Sequence, residues 1–376
     1  MRSIHKLFVF VTSFVVAASA LLAQGAGSTS KGSPDVLLFT NGEKLVGQLQ
    51  SATGSSVTFK SEMAGLVTVE WSKVQELQTS EKFAVLPKGM TLRHANDTAK
   101  VSRGTLTVKE NQVEIAGAAG TPQRIAVADL SNVVNATAFD NAFRRQSFFS
   151  NWKGGATLGV SLTEATQKNQ TVSSAVNLVR SVPSENWLDL RSRTTLEFVQ
   201  AYGKLTQPNV PSVKTDLIHA GVEQDWYLNP RLFAFANAVF DHSFSQGLDL
   251  QQRYGGGLGL VLLKGVNEEL DFKASLDYID QRFQIASLNQ QLFGSSFSET
   301  YTRAFTHKIL FNEQAGITPA WNNTSAYSAF ASAALTFPVY RHFGLTIAAL
   351  DNFLNNPPPT FKKNSFQLTV GATYTF

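Results

Sequence analysis

Apolar and polar residues alternate over long segments in the second half of the chain. Between residues 188 and 202, leucine, phenylalanine and tyrosine lie mainly at even positions, and aspartate, arginine and glutamate at odd ones. Side chains of a β-strand point alternately to its two faces, so this strand has one largely apolar and one charged face. The same pattern recurs at 270–278, 327–337, 343–349 and 366–376.

The length of these segments favours strands that cross a membrane. Strands of a soluble sandwich usually have about five or six residues, whereas a tilted strand needs about nine to eleven to cross a bilayer. Because all backbone groups in lipid must be paired, such a sheet must close into a barrel. We therefore predict an all-β fold with an antiparallel transmembrane β-barrel of about 12 strands. The predicted strands are 152–163, 171–182, 188–202, 213–227, 231–244, 250–263, 268–283, 298–307, 308–318, 324–337, 341–352 and 364–376.

The strand count depends on a division near Thr306-His307-Lys308. Reading 298–318 as one strand leaves eleven strands, but single-chain bacterial barrels have even numbers. Turn lengths support the even count because short and long turns alternate, and the short turns are expected to face the periplasm. The predicted short turns are 182–185, 229–230, 264–267 and 338–340, and the longer ones are 163–171, 203–212, 283–298 and 352–363.

The first residues have the layout of a secretory signal peptide. Arg2 and Lys6 precede an apolar stretch up to Ala20 that is too short to span a bilayer comfortably, and small residues follow. We predict a signal peptide over 1–25, with cleavage between Ala20 and Ala26. A retained membrane anchor is the alternative. A flexible Gly/Ser/Thr-rich leader is predicted over 26–34.

Residues 35–138 contain shorter alternating strands and an internal repeat. Val57, Val69, Val74 and Leu77 recur as hydrophobic residues 56 positions later, and Gly47 recurs as Gly104, one residue out of step. We predict a periplasmic β-module made of two copies of a small barrel-like unit. The alternative is chance similarity between short strands. A connector at 139–150, with a helical turn, leads to the barrel at 151–376.

Composition removes several classes of function. The chain has no cysteine, which excludes a disulfide scaffold, a Cys-ligated zinc site and thiol catalysis. Removal of the signal peptide takes away two of the 32 basic residues, which face 28 acidic ones, so the mature charge is about +2. That charge and the absence of a Lys/Arg cluster argue against nucleic acid as a partner.

The charged face of the predicted strands supplies the candidate lumen residues. Their signs are mixed, so opposite charges on neighbouring strands can pair across the barrel wall. Such a lumen is either a structural filling or a polar conduit with a weak ion preference. The candidates are Asp189, Arg191, Arg193, Glu197, Glu223, Asp225, Arg253, Asp271, Lys273 and Asp277.

The pattern of histidines and serines gives little support for an enzyme. The six histidines lack the spacing of a metal site, and no Gly-x-Ser-x-Gly elbow occurs. We therefore predict no catalytic residues, no metal site and no cofactor. The pair His242 and Ser243 is the one candidate for lipid hydrolysis, but adjacent residues of a strand point to opposite faces.

Several segments resemble the family catalogued as domain of unknown function 481. The resemblance lies in Trp152-Lys153-Gly154-Gly155, in Gln252-Arg253-Tyr254 followed by Gly255-Gly256-Gly257, in the loop Asn356-Pro357-Pro358-Pro359, and in Ala64-Gly65-Leu66-Val67 of the front region. It covers nearly the whole mature chain. The resemblance implies an outer-membrane barrel induced by salt or acid, without an established activity or catalytic residues.

Three functions fit these observations. The first is a non-enzymatic outer-membrane barrel that passes small solutes or ions. The second is a plugged barrel with a structural or adhesive role, whose periplasmic module docks a partner or the cell wall. The third is a lipid-acting enzyme of the outer membrane. Outer-membrane lipid and the barrel assembly machinery are the expected partners, the latter because Tyr374 and Phe376 end an alternating strand and resemble the assembly signal of such barrels.

Overall fold

The computed structural model describes residues 33–92, 95–117, 122–144, 147–164, 168–185, 187–207 and 210–376. The predicted signal peptide and the leader up to residue 32 lie outside the described residues. The chain divides into two compact units. The first runs up to Met90 and includes Lys100–Phe139, and the second consists of Thr91–Ala99 and Asp140–Phe376.

Ten short strands form the first unit. They are β1 (Asp35–Phe39), β2 (Lys44–Ala52), β3 (Ser56–Ser61), β4 (Gly65–Glu70), β5 (Val74–Gln78), β6 (Phe83–Pro87), β7 (Ser102–Lys109), β8 (Gln112–Ala116), β9 (Gln123–Ala126) and β10 (Leu130–Asn135). They pair in the order β1-β5-β7-β6-β10-β2, and β2 also pairs with β1, which closes a ring of six strands. β3 and β4 continue the sheet from β2, and β8 and β9 continue it from β7.

The two halves of this unit have the same internal pairings. In each half the first strand pairs with the second and the fifth, and the second, third and fourth form a meander. Trp71 and Val127, which lie 56 positions apart, each begin a short 3-10 helix before the fifth strand. β5 of the first half pairs with β7 of the second, and β10 pairs with β2. Each half therefore completes the ring of the other.

Equivalent glycines allow two pairs of strands to approach closely. A Cβ atom at Gly47 would lie 2.1 Å from the backbone oxygen of Lys60, and one at Gly104 would lie 2.2 Å from that of Ala116. Backbone atoms cannot move away as easily as the end of a side chain. These positions explain why the repeat keeps glycine where the flanking strand residues vary.

We predict that Gly104→Ala destabilises the first unit by about 1–3 kcal/mol, because an added methyl group must displace backbone. The control is Gly117→Ala, whose Cβ would have an ordinary 3.4 Å contact with the Arg103 oxygen. Native-state hydrogen exchange on the whole mature chain in detergent measures the unit separately from the barrel. Equal protection in the two variants would contradict the packing argument.

A helix follows the tenth strand. It is α1 (Ala136–Phe143), and the Asn135 side chain caps it by accepting a hydrogen bond from the Thr137 backbone N–H at 2.9 Å. The helix thus begins earlier than the helical turn predicted for the connector. Among the described residues, no helix is long and apolar enough to cross a membrane.

The second unit is a closed antiparallel barrel of twelve strands, which confirms the predicted fold class. Its strands are β11 (Trp152–Glu164), β12 (Lys168–Val182), β13 (Ser192–Gln207), β14 (Val210–Tyr227), β15 (Leu232–Ser243), β16 (Leu248–Lys264), β17 (Glu268–Phe283), β18 (Gln290–Ala304), β19 (Leu310–Thr318), β20 (Ser328–Tyr340), β21 (Phe343–Leu354) and β22 (Asn364–Thr375). A short 3-10 helix at Thr306–Lys308 divides β18 from β19, where the sequence predicted the division.

The barrel closes where its last strand pairs with its first. Gly155 is opposite Thr375 and Leu158 is opposite Ala372. The last residue adds to this seam, because the Phe376 backbone N–H donates to the Gly154 oxygen at 3.0 Å. The ring of Phe376 lies 6.2 Å from that of Tyr374, and both are on the outer wall.

The predicted long turns at 163–171 and 203–212 are wrong. β11 ends at Glu164 and β12 begins at Lys168, so their strands fill most of the first predicted turn. β13 ends at Gln207 and β14 begins at Val210, so the same holds for the second. A ladder of backbone hydrogen bonds continues here through polar residues, which the hydrophobic pattern could not reveal. The prediction also began a strand at 188, whereas β13 begins at Ser192 and the residues before it form a loop.

Candidate functional site: the barrel interior

Contacts between strands that are not neighbours show which side chains point into the barrel. Arg193 of β13 contacts Asp271 of β17, and Glu197 of β13 contacts Gln314 of β19. Neither pair can meet along the wall, so these side chains cross the interior. Because faces alternate along a strand, every second residue from each of these points inward and the others point outward.

Arg193 is the centre of an ionic cluster. Its guanidinium donates to Asp225 at 2.7 Å, to Glu269 at 2.9 Å and to Asp271 at 2.6 Å. The Arg193 side chain is 15% exposed and that of Asp225 is 0% exposed. One arginine therefore joins β13, β14 and β17 near the end of the barrel where the turns are short.

Aromatic rings pack against the cations of this region. The Arg193 guanidinium lies 5.7 Å from the Tyr227 ring centre and 5.5 Å from that of Phe233. Lys273 forms an ion pair with Glu223 of β14 and lies 5.8 Å from the ring centre of Phe235. Tyr227, Phe233 and Phe235 form one buried hydrophobic cluster. The ionic and aromatic groups together narrow the interior at the short-turn end.

Glycines of β16 make room for these bulky groups. A Cβ at Gly259 would lie 2.1 Å from the Phe233 ring, so no other residue fits beside that ring. The sequence pattern showed a glycine cluster inside a strand, which is typical of close packing. The structure identifies the packed groups, since Asp277 and Asn237 similarly lean over Gly255.

A hydrogen-bonded ladder of polar side chains lines the interior toward the end opposite the short turns. It passes along neighbouring strands from Asp241 through Gln251 and Gln281 to Gln290, with side-chain distances of 2.7–3.1 Å. At its other end, His219 Nδ1 lies 2.7 Å from Asp241 Oδ1 and His219 Nε2 lies 4.0 Å from Glu197 Oε2. Sequence reasoning missed the glutamines, because an uncharged side chain at an inward position gave no chemical signal.

The remaining candidate residues have separate partners. Glu197 accepts hydrogen bonds from Gln314 at 3.1 Å and Asn177 at 3.4 Å. Arg253 donates to Thr318 of β19 at 3.2 Å, and Asp277 accepts from Ser275 at 3.0 Å.

Two of the candidate lumen residues lie outside the strands. Asp189 and Arg191 are half-buried in the loop that precedes β13. The Arg191 backbone accepts a hydrogen bond from Tyr227 and donates one to Val182, which ties the loop to the barrel end. Both residues precede the first strand residue of β13, because backbone bonds of the loop replace the ladder before Ser192.

The opposite wall of the interior is lined by small residues. The inward positions of β20, β21 and β22 include Ser332, Ala334, Ala348 and Thr369, all of them partly exposed. The long charged side chains of the interior come from β13–β17, whereas most inward side chains here are short, with Phe330 and Leu350 as exceptions. The interior is therefore filled asymmetrically.

The turn between β15 and β16 reaches across the other end of the barrel. Gln246, which is 3% exposed, donates through Nε2 to the backbone oxygens of Asn352 at 3.0 Å and Lys363 at 2.8 Å. Ser245 donates to Ser365 of β22 at 3.2 Å. Neither β21 nor β22 neighbours β15 or β16, so this turn crosses the mouth of the barrel. We call residues 244–247 the strap.

The strap is fixed further by its backbone. Gly247 adopts the left-handed conformation with φ of 64°, and the Phe361 ring packs where its Cβ would be, at 2.8 Å. The sequence Ser-Phe-Ser-Gln-Gly at 243–247 gives no indication of partners far along the chain.

The geometry of His242 does not form a nucleophile and base pair. Its Nδ1 lies 2.8 Å from the backbone oxygen of Asp249, while the Ser243 hydroxyl lies 3.2 Å from that of Ser245. Within the part of the chain that the structure describes, no group of three or more His, Asp or Glu residues is arranged to hold a metal ion.

The outer wall carries a continuous apolar surface. Leu158 and Phe366, on the two strands that meet at the seam, are 60% and 67% exposed, and Leu276, on the distant strand β17, is 64% exposed. Exposed aromatic residues occur near both ends. Those at the short-turn end include Trp226, Tyr340, Phe343 and Tyr374, and those at the opposite end include Tyr254, Phe293 and Trp321.

Comparisons with known proteins relate the barrel to one family and to several solved structures. The sequence model of the family described as "Protein of unknown function, DUF481" matches residues 156–376. No curated protein matches the chain.

Three solved structures are similar at low identity. The NanC porin is 8% identical over 60% of this chain and 99% of its own, with a TM-score of 0.35. The COG4313 outer membrane channel from Pseudomonas putida F1 is 11% identical over 62% and 100%, with a TM-score of 0.35. The translocator domain of the autotransporter NalP from Neisseria meningitidis is 9% identical over 64% and 92%, with a TM-score of 0.32.

Proposed function

The chain belongs to the DUF481 family of proteins of unknown function, and on that premise we propose that it is an outer-membrane barrel that passes small ions or solutes through a narrow polar interior. The N-terminal unit then lies in the periplasm. The barrel wall and its interior support this proposal separately.

The observation that carries the membrane placement is the apolar outer wall. Soluble monomers rarely expose contiguous apolar patches of more than a few hundred Å². Here, exposed leucine, phenylalanine, valine and isoleucine side chains occur on strands all round the barrel. Aromatic residues near both ends fit the interfacial girdles of outer-membrane barrels.

The interior supports a polar conduit. The side chains of Glu197, His219 and Asp241 keep 26%, 25% and 22% of their exposed surface although they point inward. Solvent-accessible surface among these groups means that the middle of the barrel is not packed solid. The short inward side chains of β20 to β22 leave space in the interior opposite the charged side chains of β13 to β17.

A plugged barrel is the second candidate, and two observations favour it. The Arg193 cluster narrows one end, and the strap crosses the other. In that case the role is structural or adhesive, and the periplasmic unit docks a partner or the cell wall. A narrow conduit and a plug differ only in whether these closures open.

Assembly requires further partners under either proposal. Tyr374 and Phe376 lie on the outer wall at the seam, where they are accessible before the barrel closes. We propose them as the segment that the barrel assembly machinery recognises, with outer-membrane lipid surrounding the finished barrel.

We predict that the purified protein, reconstituted in a planar bilayer, gives small discrete current steps. Heat-modifiable gel mobility should first show a folded barrel in the outer-membrane fraction. Boiled protein added at the same concentration is the control for detergent artefacts. A folded barrel that stays silent at all voltages would favour the plug, and recovery of the mature protein in the soluble periplasm would refute both proposals.

A further inference from the structure

Charge is unevenly distributed in the barrel interior. On β13 to β17, seven carboxylates face inward, against three Lys or Arg side chains that make contacts in the interior and one histidine, His219. The carboxylates are those of Glu197, Glu223, Asp225, Asp241, Glu269, Asp271 and Asp277, and the cations are Arg193, Arg253 and Lys273. We propose that the interior takes small monovalent cations in preference to anions, an inference that rests on the proposed conduit.

The cations of the interior are already engaged. Arg193 binds three carboxylates and Lys273 binds one, while Arg253 donates to a threonine hydroxyl. The ion pairs found among the described residues leave Glu197, Asp241 and Asp277 without a Lys or Arg partner. His219 contacts Asp241 and approaches Glu197, and the charge of Arg253 also acts on Asp241. The interior along β13 to β17 therefore has an excess of negative charge.

Buried oxygen atoms without donors give a second and independent reason. Asp277 is 5% exposed, and its Oδ1 has no hydrogen-bond partner among the described groups, nor does Asn237 Oδ1. Both atoms approach the same point, since a Cβ at Gly255 would lie 2.1 Å from the first and 2.8 Å from the second. The two oxygens therefore lie close together above Gly255, and a carboxylate oxygen beside an amide oxygen is suited to a cation in the adjacent interior.

The same shortage of donors extends along the interior. Asp225 Oδ1, Asp271 Oδ1 and Gln367 Oε1 are also buried without a partner, against a single unpartnered donor, Arg253 Nε, among the described inward-facing groups. A buried acceptor without a donor costs free energy, and a cation offsets that cost. An anion would add another acceptor and meet repulsion. Protein oxygens that replace a hydration shell are the usual means of cation selection in pores.

The test measures reversal potential in planar bilayers with a KCl gradient across the membrane. Wild type should have a several-fold preference for K⁺ over Cl⁻. Glu197→Gln and Asp277→Asn should each reduce the preference, because each removes one charge and keeps the side-chain shape. The matched control is Glu313→Gln on β19. Since Gln314 points inward to Glu197, Glu313 points outward, and its variant should keep the wild-type ratio.

A second measurement needs no current. The unfolding temperature of the detergent-solubilised barrel is compared in potassium chloride and in choline chloride at equal ionic strength. It should be higher in potassium for wild type and for Glu313→Gln, with the difference lost in Asp277→Asn. If no current is recorded but the unfolding temperature is still higher in potassium chloride, the proposed conduit is wrong and the cation site is supported. Chloride preference, or equal stability in both salts, would overturn the inference.

Discussion

Arg193→Met is expected to lower the free energy of unfolding of the barrel by about 3–5 kcal/mol, because it leaves buried carboxylates without their cation. Asp225 is fully buried and Asp271 is 3% exposed, and both have Arg193 as their ionic partner. Methionine keeps the length and much of the volume of the arginine stem. The loss therefore comes from the unpaired charges rather than from a cavity.

Urea titration of the refolded barrel in lipid vesicles, followed by gel mobility without boiling, measures this change. Arg282→Met is the matched control. Arg282 pairs with Asp280 on the outer wall and is 58% exposed, so its loss should cost at most about 1 kcal/mol. Equal destabilisation by the two substitutions would show that the interior cluster stabilises the barrel no more than an exposed ion pair does.

A triple variant separates charge from packing. In Arg193→Met combined with Asp225→Asn and Asp271→Asn, the unpaired carboxylates become neutral amides of the same shape. Stability should recover in large part, because neutral groups cost much less to bury than charges. A triple variant as unstable as Arg193→Met alone would mean that the hydrogen bonds, rather than the charges, hold β13, β14 and β17 together.

The sequence allowed the strands of the barrel to be predicted but not the contacts inside it. Alternation in β17 predicted 268–283, which are the observed bounds, because one apolar and one polar face is a local property of each strand. Pairing of Arg193 with Asp225 follows from the neighbour register, in which the two residues are directly opposite. The contact of Arg193 with Asp271 cannot be derived from that register, because β17 lies four strands away and only the curvature of the barrel brings it near.

Polar ends of strands were the least predictable part of the wall. Beyond the apolar surface, the ladder of β13 and β14 continues through Lys204 and Lys214, and nothing in a hydrophobic pattern distinguishes such residues from a loop. At Asp189 and Arg191 the opposite error occurred, because the sequence predicted a strand where the structure has a loop. Leucines alternate with charges there, but backbone bonds to Val182 and Tyr227 hold a loop. Local pattern determines which face a residue has, and long-range backbone bonds determine where a strand begins.

The strap was missed for a related reason. A buried glutamine whose partners are backbone carbonyls leaves no trace in composition or spacing, because any residue could supply a carbonyl. Its importance comes from position. Gln246 bonds to Asn352 and Lys363, which flank the loop between β21 and β22, so a single amide joins opposite sides of the mouth.

Gln246→Ala is therefore expected to raise the fraction of time that the barrel is open by about ten-fold or more. Two hydrogen bonds at about 1 kcal/mol each stabilise the closed strap, and about 1.4 kcal/mol corresponds to a ten-fold change in an equilibrium. When the strap moves away, water can hydrate both carbonyls, so the open form bears little cost from the substitution. Single-channel recording at low voltage measures the open fraction directly.

The control for this experiment is Gln252→Ala. Gln252 lies on β16, the strand that follows the strap, and points to the outer wall. There its side chain accepts a hydrogen bond from Tyr254 at 3.0 Å. Its loss should leave the open fraction at the wild-type value. Currents from Gln246→Ala that match those of both wild type and Gln252→Ala would mean that the strap does not limit passage. The narrowing at Arg193 would then limit passage, and the triple variant, which neutralises Asp225 and Asp271, would be the one expected to change the current.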